Sequence, residues 1–119
     1  MTSEELLNRL KQFAYRVVKV TKILPANTES DIIRRQVLRA SFSAAANYRS
    51  ACKAYSKKAF SSKLGISFEE IDEAVFWLEV IADLDLIKKT KLTLLIKEGE
   101  ELCKILAKSI ITSKAVNKI

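Results

Sequence analysis

The side chains best suited to chemistry in this 119-residue chain are carboxylates crowded into one stretch. Glu69, Glu70, Asp72, Glu73 and Glu79 fall within FEEIDEAVFWLEV. On a helix, residues three or four apart share a face, so Glu70 with Glu73, or Glu69 with Glu73, could work as a pair. Di-metal centres in helical bundles add histidine to such pairs, and this chain contains no His. An all-carboxylate site would need acids at the same level of a second helix. The preceding helix offers only Glu29 and Asp31, both at its start. The acids are therefore expected to be solvated or salt-bridged, with no metal and no cofactor. The missing imidazole also removes the commonest general base, so triad chemistry is not expected. Cys52 and Cys103, without histidine, are too few for a zinc or haem site. No catalytic residue is assigned, and the expectation is a protein that is not an enzyme.

Cations are the stronger candidates. Arg34, Arg35, Arg39, Arg49, Lys53, Lys57, Lys58 and Lys63 run down one stretch and into the next, with Tyr48 and Tyr55 among them. Cations neutralise phosphates, and aromatic faces stack on unpaired bases. The first seven of these cations are assigned as nucleic-acid contacts. No sequence-reading motif accompanies them, so the expected mode is charge neutralisation independent of base sequence. Asn47 lies on an apolar stripe and must find partners if buried. Asn47, Arg49, Glu73 and Glu79 are assigned to a polar network that fixes helix register.

Charge is segregated along the chain, whose formal net charge is +7. Residues 1–64 hold thirteen Lys/Arg against four Asp/Glu, and residues 65–87 hold seven Asp/Glu and no Lys/Arg. Residues 88–119 return to eight Lys/Arg against three Glu. Such a chain can bind an acidic polymer, or its acidic segment can pair with basic helices of itself or of another copy.

Few residues can turn the chain, since it has only two Gly and one Pro. Long helices with few connections follow. Apolar positions recur at three- and four-residue steps, the mark of a buried helical stripe. The first helix is expected over residues 3–24, with Thr2 or Ser3 as cap and the stripe Leu6, Leu10, Phe13, Val17, Val20 and Leu24. Pro25 disfavours helical geometry at Leu24. The second, over 28–52, is capped by Asn27 or Thr28 and carries Ile33, Val37, Ala40, Ala44, Asn47 and Ala51. Within it, ASFSAAANYRSACK is nine-fourteenths Ala, Ser or Cys, which lets a neighbouring helix approach closely. The third, over 57–86, starts at Ser56 and buries Phe60, Leu64, Phe68, Ile71, Val75, Leu78 and Ala82. Gly65 stays inside it because the stripe keeps phase. The fourth, over 91–113, buries Leu92, Leu95, Gly99, Leu102, Leu106 and Ile110, with Lys108 and Lys114 at its negative end and the tail AVNKI frayed. Short connections make neighbours antiparallel, so residues 1–119 are expected to form one all-α domain, an antiparallel up-down-up-down four-helix bundle.

Phe76, Trp77 and Leu78 are consecutive and span about 200° of a helix surface, wider than a core stripe. Val18, Val20, Ile23, Leu94 and Ile96 widen other faces. A self-association surface is the economical explanation. No run is long and apolar enough for a membrane span. The opening MTSEELLNRLKQ lacks the apolar core of a signal peptide, so a cytoplasmic protein with reduced thiols is expected.

The segment ANYRSACKAYSKKAFSSKLGISFEEIDEAVFWLEVI resembles the signature of the four-helix-bundle family named for proteins encoded in intervening sequences of bacterial 23S ribosomal RNA. The upstream RRQVLRASFSAAANYR and the Leu24–Pro25 pair match as well, so the resemblance covers roughly residues 13–110. It implies an antiparallel bundle that assembles as a homopentameric ring. The family is similar to accessory variability proteins of diversity-generating retroelements, basic barrels that bind nucleic acid and a reverse transcriptase. It carries no catalytic residue. The matching Asn47, Tyr48, Arg49, Glu70, Glu73, Trp77 and Glu79 suit bundle maintenance as well as binding. The expectation is therefore a non-enzymatic oligomer that binds RNA or DNA through basic helix faces. The alternative is a self-assembling adaptor for a protein partner.

Overall fold

A computed structural model describes residues 1–117, with side chains through Ser113. Among these residues are four α-helices, a one-turn 3-10 helix at Lys89–Lys91 and no strand. The helices are α1 (Ser3–Thr21), α2 (Thr28–Cys52), α3 (Lys57–Asp83) and α4 (Thr93–Asn117). Each packs on the next, and α4 returns to α1. The result is an antiparallel four-helix bundle, 51 Å long and about 22 Å across.

Polar caps start the helices. Thr2 accepts from the Glu5 amide while the Glu5 side chain accepts from the Thr2 amide, a capping box. Asn27 accepts from the Ser30 amide and Ser56 from the Ala59 amide. The ends differ from the periodicity. Helix α1 stops at Thr21, because its last turn tightens into i→i+3 bonds from Ile23 to Val20 and from Leu24 to Thr21. Helix α3 stops at Asp83 rather than Leu86, closed by amide bonds from Asp85 to the Ala82 carbonyl and from Leu86 to the Ile81 carbonyl. That closure places Asp85 at φ 54°, the left-handed region usually given to glycine. Helix α4 starts later, after the 3-10 turn, and runs past Ser113 to Asn117. The placement of the Lys114 side chain and the fraying of AVNKI concern side chains and two residues outside the described range.

The core is built from Leu10, Phe13, Val17, Val37, Leu64, Ile71, Leu78, Leu102 and Leu106, all fully buried. On α3 the buried face is rotated from the expected stripe. Ser67, Ala74 and Ile81 are inside, whereas Phe60, Phe68 and Ala82 are half-buried. Small residues explain the rotation. Ser67 Oγ donates to the Ala44 carbonyl of α2 at 2.7 Å, so the helices meet where Ala40, Ala44 and Ala45 line α2. Gly99 performs the same service for α4. A Cβ there would lie 2.6 Å from Val75 Cγ2 and 3.0 Å from Phe13 Cε2. Gly65, by contrast, has nothing within 4 Å of a built Cβ, and α3 runs unbroken through it.

Candidate nucleic-acid interface

The α2–α3 seam draws the polar network around Arg39, not Arg49. Arg39 donates to Glu70 at 2.7 Å and to Glu73 at 2.6 Å. Those hydrogen bonds, Glu73 first and then Glu70, hold its guanidinium above its ordinary pKa. Glu73 also accepts from Trp77 Nε1 at 3.1 Å, which fixes the indole on the helix surface. Asn47 turns back on its own helix and donates to the Ser43 carbonyl and hydroxyl. Among the described residues no ion pair joins Arg49 to Glu73 or Glu79, and both Arg49 and Glu79 are exposed. The reason is register: Arg39, two turns before Asn47, lies level with the Glu70–Glu73 pair across the antiparallel seam.

Two of the seven cations assigned to nucleic acid are thus engaged within the bundle. Arg39 is one. Arg34 is the other: its guanidinium bonds the Thr21 and Leu24 carbonyls and pairs with Asp31. It thereby ties the start of α2 to carbonyls at the end of α1. Arg35, Arg49, Lys53, Lys57 and Lys58 are exposed and have no ion-pair partner among the described residues. Arg9 fastens α1 to α4 through a two-pronged bond to Glu98 at 2.7 and 3.1 Å.

Cations gather at the α2–α3 turn, and α1 opens at the same end of the bundle with Glu4 and Glu5. Helices α1 and α2 open with carboxylates, Glu4 with Glu5 and Glu29 with Asp31. Helix α3 opens instead with Lys57 and Lys58 and has no acid in its first turn. The two tyrosines divide. Tyr48 is buried, which raises its hydroxyl pKa and removes it as a stacking surface. Tyr55, at the tip of the turn, is wholly exposed. Beside it lies a cleft of about 460 Å³ walled by Ala51, Cys52, Tyr55, Lys57 and Phe60. Lys57 and Phe60 also line an adjoining, mainly apolar cleft of about 650 Å³ whose far wall is Ile105, Lys108 and Thr112 of α4.

The outer faces of α2 and α3 carry opposite signs. On α2, Ile32, Arg35, Arg39, Phe42, Ala46 and Arg49 are exposed in one stripe, with Tyr15 of α1 packed 6.3 Å from Phe42. On α3 the exposed stripe is Glu69, Asp72, Phe76, Glu79 and Asp83, with Phe76 edge-on to Trp77 at 5.1 Å. Sequence reasoning placed the acids and singled out Phe76, but not Phe42 at the centre of the basic stripe.

Among the described residues no group of three or more His, Cys, Asp or Glu is placed to hold a metal ion. Both cysteines are free thiols; Cys52 is exposed, while Cys103 is half-buried, and burial pushes its pKa up to about 11. No helix of the described residues is long and apolar enough to cross a membrane.

An all-α bundle with close-packed small residues at its α2–α3 seam is the class that fold and surface define. The profile of the 23S rRNA-intervening sequence protein family matches residues 4–108, and the chain belongs to that family. A solved structure from Bacteroides thetaiotaomicron, described as a protein of unknown function from the S23 ribosomal protein family, is 28% identical. It superposes with a TM-score of 0.81 and covers 88% of this chain and 97% of its own. No curated protein matches the chain.

Proposed function

We propose that this chain is a non-catalytic, cytoplasmic module that holds nucleic acid through its phosphates. The carrying observation is the set of five exposed cations without internal partners, Arg35, Arg49, Lys53, Lys57 and Lys58. Arg34 and Arg39 leave the proposed set because their charges serve the bundle. Binding is electrostatic, so it depends on salt more than on base sequence. Reversing two exposed charges tests it. Arg35→Glu with Arg49→Glu should weaken binding to a labelled 20-nucleotide RNA at least tenfold and flatten its salt dependence by about one to two counterions. Unchanged affinity in a folded variant would sink the proposal.

A second reading concerns assembly. The acidic stripe around Phe76 complements the basic stripe around Phe42 and Tyr15. This favours a homo-oligomer in which α3 of one copy meets α1 and α2 of the next, a ring of five if it follows the family resemblance. In the adaptor version of this reading the exposed cations serve subunit contacts or a protein partner. Light scattering separates the two: charge reversal at Arg35 and Arg49 that dissolves the oligomer assigns those charges to assembly.

A further inference from the structure

We infer that the α2–α3 turn takes an unpaired nucleobase of a single-stranded nucleic acid, stacked on Tyr55, with Lys53, Lys57 and Lys58 on the adjacent phosphates. This deepens the phosphate-holding reading and rests on it. Three observations converge on the turn. First, Tyr55 presents its whole ring to solvent, while Tyr48 is buried and Tyr15 is partly covered against Phe42. An exposed aromatic face beside cations is the usual platform for a base, and every base has a face that can stack there.

Second, Tyr55 borders a cleft of about 460 Å³, within the roughly 300–1,000 Å³ range of small-ligand sites. Ala51, Ala54 and Phe60 give that cleft apolar walls, while Ser3 and Ser56 add polar residues to its lining. Apolar walls with a few polar groups suit a flat heterocycle with hydrogen-bonding edges. Third, the cations on the turn have no ion-pair partner among the described residues: Lys53, Lys57 and Lys58 are exposed and α3 has no acid in its first turn. A duplex could use only these charges, because its bases are already stacked and paired. A single strand can use the charges and the cleft together.

The test compares strands and variants by fluorescence anisotropy of the full chain at fixed salt. The probes are labelled dT20, labelled U20 and a 20-base-pair DNA duplex. The single strands are expected to bind at least tenfold more tightly than the duplex, and the dT20 and U20 arms distinguish DNA from RNA as the preferred source of the base. Tyr55→Ala should weaken single-strand binding about five- to a hundredfold and leave duplex binding within twofold, whereas Tyr55→Phe should retain it. Because Tyr55 is wholly exposed, neither variant disturbs the core. Cys52 lines the same cleft, so bound dT20 should slow its alkylation. Equal binding of strand and duplex, or no effect of Tyr55→Ala, overturns this inference and leaves the phosphate reading standing. No binding of any probe at low salt overturns both.

Discussion

The two glycines offer a controlled measurement of how tightly the helices meet. Gly65 and Gly99 both lie inside long helices, so replacing either with alanine gains about 1 kcal/mol of helix propensity. At Gly65 nothing stands within 4 Å of the new methyl, and that gain should appear undiminished. At Gly99 the methyl would sit 2.6 Å from Val75 Cγ2 and 3.0 Å from Phe13 Cε2. Phe13 is fully buried and Val75 nearly so, and the contacted Val75 carbon lies on a stiff, branched side chain. Overpacking of that kind costs about 1–3 kcal/mol. The propensity terms cancel in the comparison, so the difference between the variants isolates the packing cost. Gly65→Ala should be about 1 kcal/mol more stable than the parent, and Gly99→Ala about 1–3 kcal/mol less stable than Gly65→Ala. Urea unfolding followed by the fluorescence of Trp77, the only tryptophan, reads both midpoints. Equal stabilisation by the two substitutions would refute the close approach of α4 to Phe13 and Val75.

Other substitutions probe single features. Asp85→Gly should raise stability by about 0.5–1 kcal/mol, since it relieves a left-handed residue at the end of α3; thermal unfolding checks it. Arg39→Ala should lower stability by about 1 kcal/mol and leave Trp77 less firmly held, visible as a shift in its emission, because Glu73 loses its cation. At pH 8, iodoacetamide should modify Cys52 well before Cys103, as mass spectrometry of peptides would report, because Cys103 is half-buried and its thiol titrates near 11. A raised folded-state pKa means that the thiol's stabilising contribution is complete below its ordinary value and lost as pH climbs toward 11. Cys103→Ala should accordingly show a shallower loss of stability than the parent between about pH 9 and 11, followed by urea midpoints.

The bundle was legible because apolar spacing, caps and scarce turn residues all point the same way. Leu6, Leu10, Phe13 and Val17 step at helical intervals and are buried together. What periodicity missed depends on small residues and on geometry across seams. In α3, VFWLEVIA is apolar in several phases at once, so hydropathy cannot choose among them. The choice falls to small residues: Ser67 lies against α2, and Ala74 is fully buried. Arg39 and Arg49 are alike in sequence, but only Arg39 lies level with Glu70 and Glu73. Arg34 looks like a free cation until the chain reversal brings the Thr21 and Leu24 carbonyls to it. Tyr48 lies on the buried face of α2 whereas Tyr55 lies in the turn that follows, and that difference reassigns stacking to the turn.

The central claim is that the exposed cations hold phosphates, and its most direct test is RNA binding across a salt series. Fluorescence anisotropy with a labelled 20-nucleotide RNA would be read between 50 and 300 mM salt, with particle mass measured in the same buffers. The logarithm of the binding constant should fall linearly with the logarithm of salt, with a slope of about −3 to −4 if all five cations engage a single strand, on an assembly of constant mass. Absence of binding at 50 mM salt, or affinity indifferent to salt, would contradict it.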